Sequence, residues 1–473
     1  MIRGTGSGWP GRPGEGAPRR GGDGDSGGGA TIVRLVAVIF LFAAVETPAQ
    51  LLNSQTWLEN QAVVLRHLPG PAPGELATDT LVDGLYGGGD LTWGVGSSLT
   101  TRFAADLGVV HDTDASDTRL RTTVHRAILT ARGGDAWGWR LRGGITPHRI
   151  AEGLLLDSDE PTVDARLTHG WGKMEVSGLL QTLLIEGESP LARLLVSGDG
   201  DRGHLTLWGG SLRDRSNRLA QQASAALRLT AERRLAVDPR RNHLSPRRLT
   251  ALLDRLAQAE VVSDGRLWLV GVDAGFHLGR LSGRGVAVYE EGHYRFRGDF
   301  AGGAVGVDVA AWLASGEVTL PAGPVDATPF LLVESGDDHL VDSDYTAFVP
   351  IAPFSPYAPL FFNGSLNRDF LADTYQPVEL ASFGVIATGL RLEGDLSHDL
   401  HLTLTPTYLS THREAPGGHG LGWEVDTAVD WSPPGRWSAR LAWQGYWPGA
   451  VVDDLVAESR SVHLLALTVR YGF

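Results

Sequence analysis

Apolar residues recur at every second position, with charged residues between them, in segment after segment from about residue 101 to the end of the chain. The last stretch, "SVHLLALTVRYGF", sets Leu465, Leu467, Val469, Tyr471 and Phe473 on one face and Ala466, Thr468, Arg470 and Gly472 on the other. Period-two alternation marks a strand with one apolar and one wetter side. The same scheme sets Trp137, Trp139 and Leu141 against Arg140 and Arg142, and Leu400, Leu402 and Leu404 against His401, Thr403 and Thr405. Charges on the second face of so many strands do not fit a close-packed soluble core. They fit a sheet standing between oil and water.

The segments predict an all-β fold: a transmembrane antiparallel β-barrel of about 16–18 strands with a helical loop insertion. About sixteen strands read clearly, and a further pair falls between Thr80 and Gly96. Tight connections (199–202, 320–323, 396–399, 432–435) alternate with looser or longer ones (147–161, 214–265, 336–377, 410–419), the pattern of bacterial outer-membrane barrels. Trp437 and Trp447 share one face of one strand, roughly 25 Å apart along a tilted barrel axis, which is the height of the lipid-facing band. Trp431, Trp437, Tyr471 and Phe473 are expected in the periplasmic girdle, and Trp423 and Trp447 in the outer one. The terminal Phe473 is similar to the C-terminal signal read by the barrel-assembly machinery.

Composition narrows the classes further. The chain has no cysteine, which excludes disulfides and thiolate chemistry. A net charge of -14 argues against a general nucleic-acid binder. Lys173 is the only lysine among 41 basic residues, a bias that reflects codon composition as much as selection. No nucleophile elbow, zinc-helix motif or phosphate loop stands out, so neither an enzyme nor a cofactor is expected.

Residues 1–32 are a Gly/Pro/Arg-rich extension or a mis-assigned start, with translation beginning near Val33. Residues 33–49 read as a signal peptide: Arg34, an apolar core from Leu35 to Val45, then Thr47 and Ala49 before Gln50. The barrel then occupies 50–473, in the outer membrane of a Gram-negative bacterium. Within it, 214–264 breaks the strand rhythm. Ser245-Pro246 opens a helix whose Leu249, Leu252, Leu253 and Leu256 fall at helical spacing. This Arg-rich insertion is a lid, a surface for lipopolysaccharide phosphates, or a solvated excursion. The loop 336–377, rich in proline and aromatics, is expected over or in the barrel mouth. Its Asp337, Asp338, Asp342 and Asp344 lack the spacing of a calcium loop and read as acidic decoration.

Alternation assigns the pore lining. Arg140, Arg142, Arg166, Arg295, Arg297, Arg436, Arg440 and Arg470 are expected to face inward, with Glu424 and Asp426 among the inward acids. They form either mutually paired wall charges or a basic track that lowers the barrier for anions.

A resemblance adds to this. Ser335-Gly336-Asp337-Asp338, then Asp344, Phe348 and Pro350, Gly422-x-Glu424-x-Asp426 and Tyr446-x-Pro448-Gly449 are similar to the alginate-export family of outer-membrane barrels, over roughly 330–450. That resemblance implies a barrel, usually of 18 strands, that passes an anionic polysaccharide through an arginine-rich pore. The expected partners are therefore outer-membrane lipid and lipopolysaccharide, the assembly machinery, and an anionic glycan, with monomer and trimer both open. Two alternatives stand beside it: a general or substrate-selective porin for small solutes, and a non-conducting structural barrel.

Overall fold

The computed structural model describes residues 50–68, 78–95, 98–112, 117–134, 137–171, 174–185, 189–215, 219, 262–297, 305–338, 344–351, 355–363, 378–453 and 461–473. The predicted extension, signal peptide and helical insertion lie outside these residues, apart from Leu219 and the edges of the insertion.

Eighteen strands form one antiparallel wall among the described residues. They are β1 (Gln50–Leu68), β2 (Thr78–Val95), β3 (Leu99–Asp112), β4 (Asp117–Gly133), β5 (Trp137–Ile150), β6 (Leu156–Trp171), β7 (Met174–Ile185), β8 (Ser189–Gly200) and β9 (Gly203–Asp214). The rest are β10 (Val262–Leu278), β11 (Leu281–Arg297), β12 (Val305–Ala322), β13 (Val325–Glu334), β14 (Val385–Ser397), β15 (Leu400–Ala415), β16 (Gly418–Trp431), β17 (Trp437–Pro448) and β18 (Val462–Gly472). Each pairs with the next. The ring closes where β18 pairs with β1, with Glu59 opposite Arg470 and Ala62 opposite Leu467. The Phe473 amide extends this seam by donating to the Thr56 carbonyl at 2.9 Å.

At the end carrying Phe473, two to five residues join successive strands; the long connections 215–261 and 335–384 lie at the other. Leu180, Leu194, Leu205, Leu207 and Val270 point outward and are exposed, as an apolar band requires. Trp431, Trp437 and Phe473 are exposed at one end of the wall and Trp423 and Trp447 toward the other. Trp437 and Tyr471 are cross-strand partners with rings 4.7 Å apart.

The alternation fixes most of this wall, but three expectations differ. In place of a pair between Thr80 and Gly96 there is one strand, β2, which ends at Val95, and its upstream partner is β1. Gly87–Gly89 reads locally as a turn, yet Gly88 is glycine because the Trp57 ring lies against it. β1 is polar on both faces across Asn53–Thr56 and shows no alternation there; β2 pairs with it across that stretch, and from Trp57 onward β2 and β18 both hold it extended. The connection near 410–419 is tight, with only residues 416–417 between β15 and β16. The strand expected from 378 begins at Val385, after a helical turn at Val378–Ala381.

Two segments leave the wall and enter the barrel. β5 pairs with β4 only as far as Ile145, and β6 pairs with β7 only from Thr162. The tip of the β5–β6 hairpin beyond those points turns inward. Gly144, at φ 132, makes the bend, since a Cβ there would collide with the Ala127 carbonyl. The tip buries Ile150, Leu154 and Leu155 against inward leucines of β7–β10, among them Leu183, Leu191, Leu212 and Leu267. The second segment, 344–363, packs Phe348, Ile351, Tyr357 and Phe361 over β11–β17. The two meet where the Ile351 amide donates to the Leu155 carbonyl at 3.0 Å.

Replacing Leu180, in the middle of the outward face of β7, by Arg should cost about 2–4 kcal/mol. Reversible denaturant unfolding from vesicles would read this as a lower midpoint; an unchanged midpoint would show that this face does not meet hydrocarbon.

Candidate pore constriction

The 344–363 segment is held by inward carboxylates of the wall, and the hairpin tip by an inward arginine. Glu290 on β11 accepts the Val349 amide at 2.7 Å. Glu424 on β16 accepts the amides of Leu360 and Phe361 at 2.7 and 2.8 Å, at the start of the short helix Pro359–Asn363. Glu317 on β12 takes Arg284 at 3.2 Å, Arg391 at 3.0 Å and the Tyr357 hydroxyl at 3.3 Å. Burial pushes the Tyr357 hydroxyl above its ordinary range, so it stays a donor at any working pH. At the hairpin tip, Ala151, Glu152 and Gly153 all adopt left-handed backbone, with φ of 51, 58 and 92. The strain of this turn is held by a reach across the lumen: Glu152 meets Arg284 of β11 at 2.7 Å.

The opposite wall differs. Arg102, Arg126, Arg132, Arg140, Arg142, Arg166 and Arg193 all face inward on β3–β8. Their carboxylate partners among the described residues are three: Asp90, Asp164 and Glu175. Asp164 takes Arg142 at 2.6 Å and Arg140 at 4.0 Å. Arg193 spends its Nε on Gln181 at 2.5 Å, and Gln181 reaches His148 under the hairpin at 3.3 Å. Arg132, Arg140 and Arg166 stand directly opposite one another across three strands, an arrangement that repels. Among the described residues the Nε atoms of Arg140 and Arg166 have no hydrogen-bond partner. Ser98, Arg132, Arg140, Arg166, Thr168 and Glu175 line a recess of about 520 Å³ here. The polar anchors of the inward segments fall on β5–β17, and β18 adds Val462 and Leu464 to the buried cluster; the arc from β1 round to β4 carries no such anchor among the described residues.

The structure thus brings Arg140, Arg142 and Arg166 together on the inner wall. Arg440 lies inward, 3.6 Å from Asp430. Arg470 lies inward at the short-turn mouth, over the Trp57 ring at 4.7 Å. Arg436 sits in the turn before β17, exposed at the rim. Glu424 and Asp426 face inward and are buried, Asp426 accepting from Gln444 at 2.9 Å, so both build the constriction rather than line an open path.

Arg295 is a correction. It is exposed on the outer face with Tyr289, while Tyr294 and Glu290 take the inside; Tyr294 is buried and donates to Asp214 at 2.9 Å. Above the hydrocarbon the outer face is wet and the inner face is filled, so the polarity of the alternation inverts. The Arg297 side chain lies outside the described residues. Arg102, Arg126, Arg132 and Arg193 were missed: Arg193 sits among leucines in "SPLARLLV", where no polar face alternates, and Arg126 follows a register shift between β3 and β4.

No protein-family profile and no curated protein matches the sequence. Solved structures do match. Pseudomonas aeruginosa OccK9 (OpdG) aligns at a TM-score of 0.50 and 13% identity, over 89% of this chain and 98% of that one. OccK5 (OpdH) of the same organism gives 0.48 and 14%, over 89% and 98%, and its OccK2 (OpdF) 0.48 and 11%, over 90% and 99%. At such identities the likeness is one of fold. The chain shares the closed, eighteen-stranded antiparallel β-barrel fold of these outer-membrane porins. These neighbours lend no support to the alginate-export resemblance.

Replacing Glu424 by Ala leaves two loop amides without a charged acceptor, a loss of about 1.5–3 kcal/mol for each hydrogen bond. The 344–363 segment should loosen, raising single-channel conductance and current noise in planar bilayers. Asp430→Ala, at an exposed ion pair, should leave the open level unchanged. Equal conductance in wild type and Glu424→Ala would remove Glu424 as the anchor.

Proposed function

We propose that this barrel is a substrate-selective channel for small anionic solutes. One observation carries the reading. The inward acids Glu290, Glu317, Glu424 and Asp430 are occupied in holding the loops or neighbouring arginines, whereas the guanidiniums of β3–β8 outnumber their carboxylate partners among the described residues and border the arc of β1–β4. An anion crossing the constriction meets cationic donors on one side, and on the other acids each already engaged through at least one oxygen. Several weak sites in succession favour entry without preventing exit. Arginine suits a carboxylate because its planar fork donates two parallel hydrogen bonds. Passage is passive, with no cofactor and no covalent step.

Export of an anionic polysaccharide, the reading that the sequence resemblance favoured, needs room for a continuous chain. The hairpin tip and the 344–363 segment meet across the lumen, which favours a small solute over a polymer. The Arg436 rim and the inward Arg440 and Arg470 would serve as an exit path on the short-turn side.

Reversal potentials under a KCl gradient test the proposal. The wild type should select anions. The double substitution Arg132→Ala and Arg140→Ala should bring the chloride-to-potassium permeability ratio several-fold closer to one. A small dicarboxylate should carry current, and an oligouronate should block without passing. Cation selectivity in the wild type would overturn the anion reading, and free passage of the oligouronate would restore the polysaccharide one.

A further inference from the structure

The outward position of Arg295 leaves it no role in the pore, and it has company. On the outer face of β9–β12, Arg213, Arg266, His293 and Asp308 are consecutive cross-strand partners in a single row. Arg295 lies one row further from the short-turn end, opposite Asp264. Arg266 and Arg295 are exposed, and Arg213 is half-exposed. On the same face, nearer the membrane centre, stand Trp268, Tyr289 and Trp312, all exposed. Trp268 is two residues from Arg266 along β10, a rise of about 7 Å. Aromatic side chains mark the boundary of the hydrocarbon, so the basic row sits just beyond it, at headgroup level on the long-loop side.

The acids of the patch are only partly available to it. Asp308 pairs with His293 at 2.7 Å, and Asp264 lies 3.9 Å from Arg213. Glu291 is exposed beside Trp268. Among the described residues no ion pair engages Arg266 or Arg295. The two stand on a diagonal of adjacent strands, a separation of about 7–8 Å between backbones, close enough for two long guanidinium side chains to converge on one group. A group at this depth, outside the barrel wall, belongs to the lipid.

We propose that this patch binds the phosphate of a phosphorylated glycolipid of the outer leaflet. Arg266 and Arg295 hold the phosphate oxygens, Arg213 adds a third cation at the edge, and Trp268 and Tyr289 meet the start of the acyl region below. Guanidinium–phosphate pairs are charge-assisted and can be bidentate. Bound lipid would brace the strands from which the connection 215–261 leaves and to which it returns. The inference is independent of the pore reading, because these side chains never face the lumen.

The test uses the full chain, folded in detergent and titrated with bisphosphorylated lipid A, with bound lipid counted by native mass spectrometry. Wild-type protein should retain the lipid. Arg266→Ala with Arg295→Ala should weaken retention tenfold or more, and the Lys/Lys pair should recover part of it. Lipid A stripped of its phosphates should bind the wild type no better than the phosphorylated lipid binds the Ala pair. Should the Ala pair fail to show the heat-modifiable gel mobility of a folded barrel, the comparison of the two lipids on wild type decides alone. Equal retention of phosphorylated and stripped lipid by the wild type, or equal retention by wild type and a folded Ala pair, would overturn the proposal. Ion selectivity should be the same in all variants.

Discussion

A peptide group in hydrocarbon has no water to bond to, so a sheet that crosses a membrane cannot keep an edge. Here the edge is removed by the pairing of β18 with β1, from Trp57 opposite Gly472 to Arg66 opposite His463. Once that seam is closed, the period-two alternation divides the wall into an outside and an inside along its whole circumference. The outside is served by lipid and needs nothing further. The inside is wider than its own side chains can fill, and the chain fills it with two of its own segments.

Those segments explain the distribution of charge. The inner positions of β7–β10 are leucine-rich toward the long-loop end because the hairpin tip covers them. The inner acids Glu290, Glu317 and Glu424 stand under the 344–363 segment because its amides and hydroxyl need acceptors. A buried carboxylate that accepts backbone amides acts as part of the fold, and removing it leaves donors unsatisfied. The arginines of β3–β8 have no such duty. Arg132, Arg140 and Arg166 stand in register and repel one another, and in the proposed function a passing anion relieves that repulsion.

Much of the barrel was legible from the sequence: the alternating faces, the two ends with short and long connections, the aromatic girdles and the inward Arg140, Arg142 and Arg166. Alternation, however, gives two faces without saying which is wet. In the lower part of the wall the outside is oil and the apolar face points out. Near the long-loop end the outside is water and the inside is a packed core, so Tyr294 points in and Arg295 out. The same effect hid Arg193, which is inward among leucines. β1 was not legible because its extended form depends on its two neighbours rather than on its own pattern. The inward turn of the β5–β6 hairpin left only a faint local mark, the pair Gly143–Gly144.

In the proposed function the hairpin tip and the 344–363 segment stay in contact across the lumen while the channel conducts past them. The natural chain has no cysteine, so Leu155→Cys with Ile351→Cys introduces a single disulfide pair where the two backbones are already hydrogen-bonded. The measurement is single-channel conductance and anion selectivity of this protein, oxidised and then reduced. The bond should form spontaneously on folding, and oxidised and reduced channels should conduct alike, with anion selectivity kept. A pair that stays reduced, or a channel that conducts only after reduction, would mean that the segments separate to open the path and would contradict the proposed function.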